Sequence, residues 1–141
     1  MLSLPDAVIA AIRRLREGGY EAFAVGGAAV EDILRREEIP FTKFVYQRSP
    51  KPDEKGLGDA VIHCPPDADT VIAIGSGVIN DIAKMLSAVG NKKYVIIATA
   101  PSMDGYASDG AAMILKGMKE TVKAGLPRAI VCDVDILKDA P

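Results

Sequence analysis

The chain has 141 residues, 49% of them hydrophobic, with 17 Lys and Arg against 19 Asp and Glu for a formal net charge of −2. That length suits one compact domain, and the balanced charge, clustered in no long block, removes the electrostatic case for nucleic acid or an anionic membrane as a partner. No apolar run reaches the roughly 18 residues of a membrane span, "MLSLPDAVIAAIRRLREGG" lacks the basic start and cleavage site of a signal peptide, and the distant Cys64 and Cys132 form no metal knuckle or redox pair, so the expectation is a reduced, cytoplasmic protein.

Leu4, Val8, Ile12 and Leu15 recur at helical spacing behind Ser3-Leu4-Pro5 and before Gly18-Gly19, which predicts a helix over 5–17. "YEAFAVGG" then reads as a strand running into Gly26-Gly27, and "AAVEDILRREE" as a helix with Val30, Ile33 and Leu34 on one side. The pattern repeats with a strand "FTKFVYQRS", a Pro-rich connection "PKPDEKG", a short helix "LGDAVIHC" and a strand "DTVIAIGSG". After these come the helix "VINDIAKMLSAVG" and the strand "KKYVIIATA". Downstream, "AAMILKG" and "MKETVKAG" predict a hairpin over 111–123 turning near Gly117, and "RAIVCD" one more strand. Continuous apolar strands separated by helices indicate a parallel sheet buried on both faces, and right-handed crossovers make it an α/β, Rossmann-like, doubly wound layer structure. A mean hydropathy of +0.17 fits such a sheet, or a surface that meets a partner.

In an open parallel sheet ligands sit beyond the carboxyl ends of the strands, so the strand-to-helix turns are where a site belongs. "IGSGVINDIAK" places Gly75, Ser76 and Gly77 between a strand and a helix. Glycines let a phosphate approach the backbone, and free amides at a helix start favour an anion; the same residues also suit a plain tight turn with a capping serine. Asp81, one turn in, can order the loop or accept a ligand hydrogen bond. Gly26-Gly27 is a second such turn, structural or phosphate-binding. The third, "ATAPSMDGYASDG", brings Thr99, Pro101, Ser102, Asp104 and Asp109 to the mouth of the sheet. His63, the only histidine, falls in a helix as a packed or surface residue. The opening resembles that of tRNA nucleotidyltransferases in its helix, strand and Gly-Gly, but "FTKFVYQRS" lacks the paired carboxylates those enzymes place on the next strand.

The pairing of "GSGVIND" with "TAPSMDGYASDG" resembles the cofactor-binding half of the sn-glycerol-1-phosphate dehydrogenases, within the group of iron-dependent alcohol dehydrogenases, glycerol dehydrogenases and dehydroquinate synthases. The resemblance covers about residues 52 to 141 and includes "KPDEKGLGDAV" and "RAIVCDVDILKDAP". It implies a bound NAD or NADP touched by Gly75, Ser76, Gly77, Val78, Ile79, Asn80 and Asp81, with the glycine backbone at the pyrophosphate. Thr99, Ala100, Pro101, Ser102 and Ser108 would add cofactor contacts, and Asp104 would hold the polyol substrate. The family's acidic turn after the first strand is replaced here by "VGGAAVED", which leaves the choice between NAD and NADP open. In the family "ILKDAP" leads into a helical domain that supplies one Asp and two His to a catalytic zinc or iron. This sequence stops at Pro141, so the expectation is a single dinucleotide-binding domain with neither metal ligands nor catalytic residues, and with apolar surface near its C-terminal end that favours self-association. Three readings follow: a dinucleotide-binding domain without turnover, one half of a two-chain dehydrogenase with a metal only when a second domain or chain is supplied, or a non-catalytic self-associating module.

Overall fold

The structure, a computed structural model, describes residues 22–25, 28–101, 104–138 and 140. The expected helix over 5–17, both glycine pairs, and Ser102 lie outside those residues. In chain order the elements are β1 (Ala22–Val25), α1 (Ala28–Arg36), β2 (Phe41–Phe44), α2 (Glu54–His63), β3 (Thr70–Gly75) and α3 (Gly77–Gly90). They continue with β4 (Lys93–Ala98), a 3-10 turn (Gly105–Ala107), the pair β5 (Gly110–Leu115) and β6 (Met118–Lys123), then β7 (Ala129–Cys132) and α4 (Val134–Leu137).

Five strands form one parallel sheet in the order β2-β1-β3-β4-β7. The chain steps outward from β1 to β2, returns past β1 to β3, and continues to β4, so its direction reverses between β1 and β3. This is the doubly wound arrangement that the sequence predicts, with the 2-1-3-4-5 strand order. Alternate residues of β3 serve opposite faces: Val71 and Ala73 join Ala60, Ile82, Ala83, Leu86, Tyr94 and Ile96 in one cluster. Ile72 joins Val30, Ile33, Leu34, Ile97 and Val131 in the other. Helix α1 therefore covers one face and α2 with α3 the other, which is why β3 and β4 read as unbroken apolar runs.

Three boundaries differ from the sequence expectation. Strand β2 ends at Phe44, because β1 offers partners only from Ala22↔Phe41 to Val25↔Phe44. Helix α2 starts at Glu54, inside the Pro-rich connection, because the extended Asp53 caps it and accepts the Gly56 N–H at 2.8 Å. The short α4 follows the last strand with no periodic pattern long enough to announce it.

The hairpin forms as predicted, with a two-residue turn at Lys116 (φ 50°) and Gly117 (φ 82°) that has the positive angles a tight hairpin needs. It does not join the sheet. Ala111 and Met113 of β5 are buried, and β5 packs on α3, so that helix lies between the sheet and the hairpin. Two bonds fasten the hairpin to the start of α2: Ile114 N–H to Pro52 O at 2.7 Å, and Lys116 N–H to Glu54 Oε1 at 2.6 Å. Around β7 the apolar side chains of Leu126, Ile130, Val134 and Ile136 are exposed, as the sequence predicts for that end of the chain.

Candidate functional site

At the carboxyl end of β3 the backbone turns directly into α3. A Cβ on Gly75 would stand 2.8 Å from both Cβ and Cγ1 of Ile79, so glycine is required there by the return of the helix onto the strand end. Ser76 is the N-cap, with extended backbone (φ −95°, ψ −161°), and its hydroxyl makes no capping bond. The Asn80 N–H bonds the Ser76 carbonyl at 3.0 Å. Among the described residues no side chain takes up the amides of the first turn, which leaves the positive end of α3 open at the sheet edge.

Gly75, Ser76, Gly77, Val78 and Ile79 are partly accessible, with Val78 and Ile79 also packing into the core. Asn80 and Asp81 turn inward. Asn80 is fully buried with neither amide atom hydrogen-bonded. Asp81 is buried beneath the hairpin; burial pushes its pKa up, while the Ala112 backbone amide and the charge of Lys84 oppose the shift.

The neighbouring strand β4 delivers the second loop, a lip whose described residues are 99–101 and 104–110. Its root is joined to the glycine turn by a bond from Thr99 N–H to Gly75 O at 3.1 Å. Ala100 accepts the Tyr106 hydroxyl at 2.8 Å, and Tyr106 is itself buried. Pro101 and Asp104 are exposed, the latter immediately before the 3-10 turn. Ser108 is exposed, yet its hydroxyl lies against Gly105 O at 3.0 Å and Gly110 O at 3.2 Å.

Sequence reasoning missed the residue that organises this lip. Lys84 is 1% exposed, and its Nζ donates to Gly105 O at 2.5 Å, Ser108 O at 2.7 Å, Ser108 Oγ at 3.1 Å and Gly110 O at 3.1 Å. Desolvation lowers its pKa, opposed by the nearby charges of Asp81 and Asp109. A signal was available: Asp81 and Lys84 are the only charged residues in "GVINDIAKMLSAVG", three apart and hence on one face. Two isolated charges on an otherwise apolar helix mark a buried contact.

On the other side of α3, Val45, Tyr46, Arg48, Ser49, Pro50, Ile74 and Ile79 line a cavity of about 250 Å³. Tyr46 donates to Gly56 O at 2.6 Å, and burial with the charge of Asp59 pushes its pKa up to about 12. His63 ends α2 as an exposed side chain, stacked on Phe44 with ring centroids 4.5 Å apart. Among the described residues no three His, Cys, Asp or Glu side chains come together in a group able to hold a metal ion. No helix of the described residues is long and apolar enough to cross a membrane.

A doubly wound sheet with a glycine turn opening a helix at its carboxyl edge puts the chain in the class of open α/β proteins, in which ligands bind beyond the strand ends. Within that class the chain belongs to the iron-containing alcohol dehydrogenase family, whose model matches residues 17–141. It is 32% identical over 123 residues to the glycerol-1-phosphate dehydrogenase (NAD(P)+) of Geobacillus thermodenitrificans, an alignment covering 84% of this chain and 30% of that one. The Bacillus subtilis enzyme of the same name is 40% identical over 89 residues, covering 63% of this chain and 23% of the relative. The chain thus spans about a third or less of the length of these curated relatives. Among solved structures it shares its fold with an archaeal halo-thermophilic Red Sea brine pool alcohol dehydrogenase, at TM-score 0.81 and 16% identity, covering 96% of this chain and 44% of the other. It also matches glycerol dehydrogenase from Schizosaccharomyces pombe, at TM-score 0.71 and 20% identity, covering 96% and 37%. The described residues do not fit the iron of the family's name, since they bring no three His, Cys, Asp or Glu side chains together.

Proposed function

We propose that this chain is the NAD(P)-binding portion of a glycerol-1-phosphate dehydrogenase-like oxidoreductase, without turnover by itself. One observation carries the reading: the uncapped first turn of α3, opened by Gly75-Ser76-Gly77 beside the point where the winding of the sheet reverses. A pyrophosphate is the group such a turn suits, since backbone amides and the helix dipole supply its partners and no side chain competes for them. With the dinucleotide anchored there by its pyrophosphate, its nicotinamide would supply the hydride chemistry. The chain's own residues bind and orient it: Gly75 to Gly77 through backbone, and Thr99 to Pro101 and Ser108 from the lip. Asn80 and Asp81 support the turn from below, and Asp104 offers a carboxylate to a polyol hydroxyl. The names of the curated relatives, glycerol-1-phosphate dehydrogenase (NAD(P)+), support the cofactor and the substrate class.

Titrating NADH or NADPH into the 141-residue chain while following nicotinamide fluorescence tests this. Saturable binding is expected, and its absence at millimolar cofactor would overturn the reading. Ser76→Asp sharpens the test, because an aspartate both caps the amides and repels the anion. Affinity should fall about tenfold, while thermal stability holds or rises by up to ~1 kcal/mol. A Ser76→Asp chain that binds as tightly as the original would remove α3 from the site.

A further inference from the structure

Lys84 sits about two turns into α3, and its Nζ reaches the lip. Burying a lone ammonium is costly unless hydrogen bonds replace its water. Here the replacements all come from one short segment: the carbonyls of Gly105, Ser108 and Gly110 and the hydroxyl of Ser108. Gly105 directly follows Asp104. The lip is thus drawn down onto the helix that carries the glycine turn, while Tyr106 holds its other side to Ala100.

The two loops are proposed to meet different parts of a dinucleotide. Hydride passes between the nicotinamide and the substrate carbon, so the nicotinamide end must lie beside the residue that holds the substrate. If Asp104 holds the polyol, the lip borders the nicotinamide, while the amides of α3 border the pyrophosphate. A residue that sets the height of the lip relative to α3 therefore sets how well the nicotinamide is received once the pyrophosphate is anchored.

We propose that Lys84 is a positioning residue that holds residues 104–110 against α3 so that the nicotinamide half of the dinucleotide, and not its ADP-ribose half, gains its contacts. The proposal rests on the dinucleotide reading above. It separates Lys84 from a purely structural cation, whose loss would weaken every ligand of the domain alike.

The experiment measures NADH and ADP-ribose affinity side by side, by fluorescence and calorimetry, in the original chain and in Lys84→Met, which keeps the apolar stem and removes the ammonium. NADH should weaken by about tenfold or more, the scale of removing one charge-assisted hydrogen bond, with ADP-ribose within about twofold. Equal weakening of both ligands, or no change in either, would overturn the positioning role. Should Lys84→Met fail to fold, Lys84→Gln keeps a neutral hydrogen-bond donor at that position and removes the charge. Its NADH affinity should then fall about threefold against an unchanged ADP-ribose affinity, and a constant ratio of the two would overturn the proposal. If the original chain bound neither ligand, the dinucleotide reading itself would fall. If it bound both and the ratio held in the variants, only the role of Lys84 would be lost.

Discussion

The turn between β3 and α3 and the lip between β4 and β5 rise from adjacent strands, and a bond from Thr99 N–H to Gly75 O joins them at the root. They are nevertheless built by different physics. The first is local: Gly75, Ser76 and the first turn of α3 take their shape from contacts within five residues, above all Gly75 against Ile79. The second is held from a distance, by Lys84 reaching 21 to 26 positions along the chain and by Tyr106 folding back on Ala100. A local turn is pre-organised once its residues are in place, whereas the lip keeps its position only while a buried cation and a buried phenol remain satisfied.

The largest effect that could break this contrast is expected at Gly75. Gly75→Val would place carbon atoms too close to Ile79, and the strand-to-helix return has no slack to absorb them. A loss of about 2–3 kcal/mol should appear in denaturant unfolding, and an unchanged midpoint would show that the turn is not set by this packing. A smaller effect is expected at the lip. Tyr106→Phe strands the Ala100 carbonyl at a cost of ~1 kcal/mol. Amide exchange should quicken around residues 104–110 and stay as it was at residues 77–81, and equal quickening at both would mean that the two loops move as one.

The subtlest test is pH, because the two carboxylates that fasten the hairpin are perturbed in opposite directions. Asp81 has its pKa raised by burial, so folding opposes its ionisation, and that cost is relieved as pH falls through the raised folded value. Glu54 has its pKa lowered, first by the Lys116 N–H, so its contribution is fully present above the ordinary carboxylate range and is lost as pH falls through the lowered value. On acidification the Lys116 amide should lose exchange protection as Glu54 takes up its proton, while the Ala112 amide, beside Asp81, keeps its protection. Simultaneous loss at both would show that the hairpin opens as a unit.

Much of the frame was legible because its signals are short-range. Val30, Ile33 and Leu34 are on the buried side of α1 as their spacing predicts, and the hairpin turns where Gly117 permits a positive φ. Gly-Ser-Gly opens a helix after an apolar strand, as read. The start of α2 was hidden because Asp53 caps it from within a Pro-rich stretch, and β2 ended early because strand length depends on the neighbour.

The sequence by itself determined the alternation of strands and helices, the two-faced burial of the sheet, and the loops that carry glycine, serine and aspartate. Periodicity and backbone freedom are properties of a few neighbouring residues, so they can be read there. Only the tertiary structure decided that Asp81 faces the hairpin, that the hairpin covers α3, and that Lys84 carries the lip. Each of those depends on which distant backbone groups a buried charge finds as partners, and desolvation makes that choice only once the chain has folded.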